Sequence, residues 1–274
     1  MSHTAGLGYG LAVGNPVDDA FRADPPLEKP NFKAMIDTIG KLPLLAQPGE
    51  RWSYSIAVDI QGLIVERLSG EKFGAYLSKH ILNPLDMSNT QFFLKEKDRA
   101  RLPDVYQWDR TKDKLELFPD PQGRGFFSAN HVESGGGGLV ATTHDYARFC
   151  QMLLNKGTLD GHRILKPESI ALMTQNHIGE LRIFSNGNSA TSGLPGTGFG
   201  LDFAVVTDPA AARTQQGVGA YYWFGIAGTW FWIDPKNDLF FIGMIQRRGG
   251  AGTGAVNFRN ESIKLVYDAL KPGT

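Results

Sequence analysis

The sequence predicts an α+β fold, in which helices come first, an antiparallel sheet follows and a last helix packs on that sheet. Before residue 199 apolar residues recur with helical spacing, and from Phe199 onward they alternate with a period of two. Near the carboxyl end the helical spacing returns. We therefore expect one domain over residues 1–274, with a mostly helical and loop region at 1–198 and an antiparallel sheet plus a carboxyl-terminal helix at 199–274.

Length, composition and charge limit the classes of function. Of the 274 residues, 42% are hydrophobic and 20% are charged, which is typical of a globular enzyme rather than a disordered or fibrous chain. The 28 basic and 28 acidic residues give a net charge of +0, so no charge excess favours a nucleic acid as partner. No apolar run approaches the roughly 20 residues that cross a bilayer. We therefore predict neither a nucleic-acid partner nor a membrane-spanning segment.

The first half of the chain alternates between loops and helical stripes. Residues 8–31 are rich in Gly, Pro and Asp, which predicts an irregular surface segment. A helical stripe ends at Gly70 and consists of Ile60, Leu63, Ile64 and Leu68. A second stripe ends at Pro84 and consists of Phe73, Tyr76, Leu77 and Ile81. Residues 92–131 are mostly polar and aromatic, which predicts a loop.

The strongest helix signal begins at Thr142. Its apolar face consists of Tyr146, Phe149, Cys150, Leu153 and Leu154. Asp145 completes a capping box, and Gly157 ends the helix. Another helix is predicted from Pro167, and residues 179–198 form a Gly-, Ser- and Asn-rich loop. Loops of that length often form walls around a functional site.

The last third of the chain has the periodicity of strands. Alternation of Phe199, Leu201, Phe203 and Val205 predicts the first strand. Three aromatic and β-branched segments follow, separated by turn residues: Ala220–Ile226, Thr229–Ile233 and Leu239–Ile245. We expect these segments to form an antiparallel meander. A terminal helix that covers the meander is predicted from Ile263, Val266, Tyr267 and Leu270.

Several common catalytic motifs are absent from the sequence. There is no Gly-x-Ser-x-Gly, no His-Glu-x-x-His, no Walker loop and no Gly-x-Gly-x-x-Gly after a strand. The single cysteine, Cys150, excludes an internal disulfide, and on a helix's apolar face we interpret it as a buried, inert thiol. The six histidines lack metal-ligand spacing. Residues 134–138 lack the lysine of a phosphate loop, so we interpret them as close backbone packing near a site. We therefore expect neither a metal nor a cofactor.

Two separated motifs carry a family resemblance. The segment Pro48–Gly62 delivers Tyr54 to the start of a helix, and Tyr222–Gly225 reads Tyr-Trp-Phe-Gly. Together they resemble the second and third active-site motifs of serine β-lactamase-like hydrolases: the class C β-lactamases, the D-alanyl-D-alanine carboxypeptidases and the family VIII carboxylesterases. Further segments that match the family are His3–Leu7, Ser134–Leu139 and Gly198–Leu201. The resemblance spans essentially the whole chain and implies the penicillin-binding-protein-like α+β fold.

The resemblance implies a role for each matched residue. Tyr54 would serve as base or proton relay, and because tyrosine titrates near pH 10 it needs a cation beside it, which is the lysine of the first motif in this family. Trp223 would form an apolar wall for an acyl or alcohol group. Gly225 would let the substrate approach the strand edge, and the backbone N–H of Ile226 would be one oxyanion donor. We expect His3 to be structural.

Departures from the family pattern favour esters as substrates. Ile56 occupies a position where many relatives carry an asparagine that binds a substrate amide, and Trp223 replaces the lysine of Lys-Thr-Gly. Some esterase-like relatives carry an aspartate like Asp59. The resemblance thus implies a serine hydrolase that acts on small or medium acyl esters through an acyl-enzyme. Arg247 or Arg248 could restore a positive charge, so a β-lactamase or D-alanyl-D-alanine peptidase stays open, as does a non-catalytic binding protein.

The nucleophile of the family lies in a Ser-x-x-Lys motif, which we expect before the segment that begins at His3. We therefore expect the amino-terminal strands and the nucleophile helix to be missing, which would leave the sheet with an unpaired edge and an uncovered apolar face. The sequence contains one Ser-x-x-Lys, from Ser69 to Lys72. Gly70 places that motif at a helix end, so we do not interpret Ser69 as the nucleophile.

Overall fold

The computed structural model describes residues 1–109, 111–118, 126–184, 193–248 and 257–270. Within them the α-helices are α1 (Pro16–Ala23), α2 (Phe32–Ile39), α3 (Ala57–Ser69), α4 (Phe73–Leu77), α5 (Thr143–Leu154), α6 (Pro167–Met173), α7 (Pro209–Ala212) and α8 (Phe258–Leu270). The strands are β1 (Tyr106–Asp109), β2 (Lys114–Leu117), β3 (Thr158–Leu159), β4 (His162–Arg163), β5 (Thr197–Phe199), β6 (Ala204–Val206), β7 (Tyr221–Phe224), β8 (Trp230–Asp234), β9 (Leu239–Gly243) and β10 (Arg247–Arg248). Among these elements, no helix combines the length and apolarity that crossing a bilayer requires.

The main sheet is an antiparallel meander of five strands in the order β5-β6-β7-β8-β9, which confirms the predicted meander. Alternate residues of β8 face opposite sides. Phe231 and Ile233 pack in the cluster that contains Cys150 of α5, whereas Trp232 packs with Tyr267 of α8. The expectation of an uncovered apolar face is therefore wrong, because α5 covers one side of the sheet and α8 the other. In the described residues β9 pairs with β8 alone, so its outer edge is unpaired.

The segment predicted as the first strand of the sheet instead contributes to two strands, β5 and β6. Leu201 and Phe203 do not continue β5, because the chain turns back between β5 and β6. Asp202 adopts a φ of 66°, and the Gly200 N–H donates to the Phe203 carbonyl oxygen at 2.7 Å. Period-two alternation across 199–205 therefore reflects a tight hairpin rather than one strand.

Helix boundaries follow the predicted capping signals. The Thr142 hydroxyl accepts a hydrogen bond from the Asp145 N–H at 3.2 Å, which is the first of the two bonds of a capping box, and it donates to the Asp145 carboxylate at 3.0 Å. Gly70 ends α3 with a φ of 72°. The expectation of an irregular segment at 8–31 is wrong in part, because α1 forms there. The Asn15 side chain caps α1 by accepting from two backbone N–H groups, and Pro16 occupies its first position.

Residues 92–131 also contain regular structure, although their composition predicts a loop. There β1 and β2 form an antiparallel hairpin, and β10 pairs with β1 in parallel. The guanidinium of Arg247 lies 5.8 Å from the Trp108 ring centroid, and that of Arg248 lies 4.5 Å from the Phe118 ring centroid. The hairpin depends on this pairing with a distant segment, which local periodicity does not reveal.

Candidate active site

Tyr54 lies in an extended segment directly before α3, and this segment runs beside the first residues of the chain. The Ser53 N–H donates to the His3 carbonyl oxygen at 2.8 Å, and the Ile56 N–H donates to the Gly8 carbonyl oxygen at 3.1 Å. On either side of Tyr54, Trp52 and Ile56 are buried. These backbone bonds and buried anchors fix the phenol at the amino-terminal end of α3.

The buried ring of His3 packs against the ring of Tyr54. The ring centroids of His3 and Tyr54 lie 4.7 Å apart, and His3 is 2% exposed. The Ser55 N–H donates to His3 Nδ1 at 3.2 Å, so Nδ1 is the unprotonated nitrogen of the neutral ring. Burial lowers the pKa of His3 from 6.5 to about 4. This geometry supports the predicted structural role.

The low pKa of His3 predicts an acid-sensitive fold. The unfolded chain binds a proton near pH 6.5 and the folded chain only near pH 4, so stability from His3 is complete above pH 6.5 and is lost as the pH falls toward 4. The pKa difference corresponds to a loss of up to about 3 kcal/mol. His3→Asn keeps an acceptor and tolerates the φ of 56° at this position, and it should flatten this pH dependence in urea-unfolding curves. His162→Asn, on β4, should retain it; equal slopes in both variants would contradict the prediction.

Trp223, on strand β7 of the main sheet, packs against Tyr54. Their ring centroids are 5.4 Å apart, and Trp223 also contacts Phe199 at 5.3 Å and Trp52 at 6.4 Å. Burial raises the pKa of Tyr54, and a hydrogen bond with the Trp223 side chain opposes this shift. Because an indole N–H only donates, the Tyr54 oxygen is the acceptor. No lysine or arginine of the described residues contributes to the pKa shift, so Tyr54 is a neutral phenol at pH 7 in this arrangement.

Gly225 and Ile226 follow Trp223 at the turn between β7 and β8. The Gly225 N–H donates to the Thr229 carbonyl oxygen at 2.8 Å, and a Cβ on Gly225 would lie 2.7 Å from the Thr229 hydroxyl. The Ile226 side chain is 51% exposed. Its backbone N–H has no hydrogen-bond partner within the described parts of the chain. An oxyanion donor needs such a free N–H, and this role of Ile226 stays a prediction.

The glycine-rich segment 134–138 packs closely on the start of α3. A Cβ on Gly136 would lie 2.9 Å from the Asp59 carboxylate. Asp59 is fully buried and accepts hydrogen bonds from the Ser134 hydroxyl and the Gly136 N–H. Tyr9 also hydrogen-bonds to Asp59, while its ring contacts Tyr54 at 5.6 Å between centroids. Asp59 therefore ties three segments together beside the Tyr54 ring.

Other candidate residues lie away from Tyr54 or are occupied. Ile56 is 1% exposed and belongs to the core, so it presents no side chain to a substrate. The Ser69 hydroxyl donates to the Val65 carbonyl oxygen at 2.7 Å at the end of α3, which agrees with its rejection as nucleophile. Burial raises the pKa of Cys150 to about 12, so its thiol is inert. The described residues contain no cluster of metal-ligating side chains.

Two residues that belong to no sequence motif also lie near the site. The Phe184 ring stacks on Trp223 at 5.7 Å, and the Arg259 guanidinium of α8 lies 4.3 Å from the Phe224 ring centroid. Phe184 precedes residues 185–192 of the predicted wall loop, and those residues lie outside the described ranges. The predicted wall loop at 179–198 includes Phe184, but no motif marks either residue, because each reaches the site only through tertiary packing.

Known proteins are similar in sequence to this chain. Protein Rv1367c of Mycobacterium tuberculosis is 35% identical over 252 residues, which cover 90% of this chain and 61% of that protein. Esterase EstB of Burkholderia gladioli is 31% identical over 255 residues, which cover 87% of this chain and 61% of EstB. The chain thus spans about three fifths of the length of these curated relatives.

The solved structures agree on the fold. The structure of EstCE1, described as a hydrolase with promiscuous acyltransferase activity, superposes with a TM-score of 0.79 at 26% identity and covers 97% of this chain and 70% of its own. This confirms the penicillin-binding-protein-like α+β fold. The family model for β-lactamase matches residues 1–264, a range that includes both the Tyr54 segment and the Trp223 strand. The fold and the match over almost the whole chain together establish that this chain belongs to the β-lactamase family.

Proposed function

We propose that residues 1–274 are one catalytic domain of a serine carboxylesterase that acts on small or medium acyl esters through an acyl-enzyme. The contact between Tyr54 and Trp223 carries this proposal. At that contact the ring centroids of Tyr54 and Trp223 lie 5.4 Å apart, and Trp223 belongs to a wall of aromatic rings. Such a wall suits a neutral acyl or alcohol group, because it offers apolar surface. Relatives named as an esterase and as a hydrolase with acyltransferase activity support the same class.

In the proposed reaction a serine hydroxyl attacks the ester carbonyl carbon, and the C–O bond to the alcohol breaks. Tyr54 passes the serine proton to the departing alkoxide, together with the lysine that the family supplies. The Ile226 N–H stabilises the oxyanion. Water, or another alcohol, then attacks the acyl carbonyl carbon, the C–O bond to serine breaks, and the carboxylic acid or new ester leaves while the proton of the attacking hydroxyl returns to the serine oxygen. The one Ser-x-x-Lys of the sequence lies at the end of α3, where the Ser69 hydroxyl is bonded to the Val65 carbonyl oxygen, so we propose that the nucleophile is a serine outside residues 1–274.

One observation favours a β-lactamase or D-alanyl-D-alanine peptidase instead. Arg259 lies over the Phe224 ring and could bind the carboxylate that those substrates carry. Against this alternative, Ile56 is buried, and both Arg247 and Arg248 contact the β1–β2 hairpin. Turnover of p-nitrophenyl butyrate is expected to exceed that of nitrocefin. A clear preference for nitrocefin would replace the esterase with the alternative.

Fluorophosphonate labelling tests the proposed function directly. We expect the protein expressed from its natural locus to gain the mass of one label, on a serine outside residues 1–274 in peptide mapping. The Ser69→Ala variant should label equally, because the Ser69 hydroxyl is bonded to the Val65 carbonyl oxygen. Absence of label would favour a non-catalytic binding protein. Loss of label in Ser69→Ala would show that Ser69 is the nucleophile.

A further inference from the structure

Phe184 has a backbone conformation that aromatic residues rarely adopt. Its φ is 57°, in the left-handed region where glycine and asparagine are the usual occupants. Such conformations persist when tertiary contacts outweigh their cost, and they cluster at functional sites. The contacts of Phe184 therefore indicate which function its left-handed backbone conformation supports.

Those contacts are aromatic. The Phe184 ring lies parallel to Trp223, with an interplanar angle of 11° and centroids 5.7 Å apart. It also meets the edge of Trp52 at 4.9 Å and stacks on Phe224 at 5.9 Å. These distances lie in the range where ring pairs attract beyond simple burial. Three rings thus hold Phe184 in place.

The backbone around Phe184 is anchored as well. The preceding residue, Ile183, is fully buried in the cluster with Trp52 and Phe199. The Leu194 N–H donates to the Ile183 carbonyl oxygen at 3.3 Å, which ties the two ends of the loop together. Phe184 is nevertheless 37% exposed. One part of its ring surface therefore packs on the site, and another part faces outward.

Trp223 links Phe184 to the proposed catalytic phenol. Its ring contacts Tyr54 at 5.4 Å and Phe184 at 5.7 Å. Tyr54 is half-buried, whereas Phe184 reaches the surface. Together the three rings form a continuous apolar wall that leads from Tyr54 outward. A straight acyl chain whose carbonyl lies at Tyr54 would reach Phe184 only with its distal carbons.

We propose that Phe184 is a specificity-determining residue that selects medium-length straight acyl chains over acetyl groups. This inference rests on the proposed esterase function. Acyl-chain carbons that extend past Tyr54 and Trp223 are shielded from solvent only when Phe184 covers them. Each methylene buried against Phe184 therefore favours the longer ester. An acetyl group ends before Phe184 and gains nothing from it.

Acyl-chain selectivity tests this inference, with p-nitrophenyl hexanoate and acetate and the protein expressed from its natural locus. In Phe184→Ala we expect the hexanoate-to-acetate ratio of kcat/KM to fall about tenfold, the effect typical of lost apolar contacts in a pocket. The kcat/KM for p-nitrophenyl acetate should stay unchanged in Phe184→Ala. Phe184→Leu should restore part of the ratio, and Leu68→Ala, a change at an 84% exposed position, should keep it.

A glycine variant separates the ring from the backbone. Phe184→Gly accepts a φ of 57° without strain, so it should fold and show the same fall in the ratio as Phe184→Ala. An unchanged ratio in both variants, with acetate turnover intact, would overturn the role of Phe184 and leave the esterase proposal standing. Absence of both ester turnover and fluorophosphonate label in the wild-type protein would overturn the esterase proposal, and the Phe184 inference with it.

Discussion

Replacing Tyr54 with phenylalanine should lower kcat for p-nitrophenyl butyrate by roughly 100- to 10,000-fold, the usual contribution of a general acid–base group. The change removes only the hydroxyl. Phenylalanine keeps the ring contacts with His3, Tyr9 and Trp223, whose centroids lie 4.7, 5.6 and 5.4 Å from that of Tyr54. KM should therefore change little, because the aromatic wall that binds the acyl group stays in place.

The matched control is Tyr106→Phe. Tyr106 is 42% exposed on β1, so losing its hydroxyl should leave kcat unchanged. Fluorophosphonate labelling of Tyr54→Phe should slow with kcat, because attack by the serine needs the same proton transfer. If Tyr54→Phe retained kcat within twofold, the phenol would be a packing residue and the proposed proton relay would be wrong.

Local patterns predicted the elements that carry strong signals of their own. Helix α5 has a capping box and a continuous apolar face, and β7 to β9 are dense in aromatic residues between turn signals. The structure confirms both. Helix α1 was missed, since the glycine- and proline-rich composition around it outweighed the cap that Asn15 provides. The β1–β2 hairpin was missed because β10, far along the chain, completes it.

The residues of the candidate site also fall into two groups: those that a local motif identifies and those that only the tertiary structure identifies. Tyr54 and Trp223 were found because each lies in a motif, and the structure brings their rings to 5.4 Å. Their chemical roles stay predictions. Phe184 and Arg259 lie in no motif, and only the fold places them beside Trp223 and Phe224. Sequence patterns thus identify residues tied to a local element, whereas residues that shape a site from another layer need the tertiary structure.

Replacing Asp59 with alanine should destabilise the fold by roughly 2–4 kcal/mol in urea unfolding, because several buried donors lose their acceptor at once. Asp59 is fully buried in the first turn of α3, where a helix amino terminus favours negative charge. Its carboxylate accepts from the Ser134 hydroxyl, from the Gly136 N–H at 3.1 Å and from Tyr9. Alanine offers no acceptor, so the loop at 134–138 loses its attachment beside Tyr54.

Two further variants and the pH dependence identify the carboxylate as the cause. Burial raises the pKa of Asp59 above 3.8, so its stabilising contribution is greatest below pH 3.8 and declines as the pH rises toward the folded-state pKa. Asp59→Asn keeps one acceptor oxygen and does not titrate, so its stability relative to the wild type should improve over that pH range. Asp37→Ala removes an exposed ion pair with Lys33 and should cost less than about 0.5 kcal/mol. A similarly small cost for Asp59→Ala would mean that solvent replaces the carboxylate and that Asp59 does not hold the three segments together.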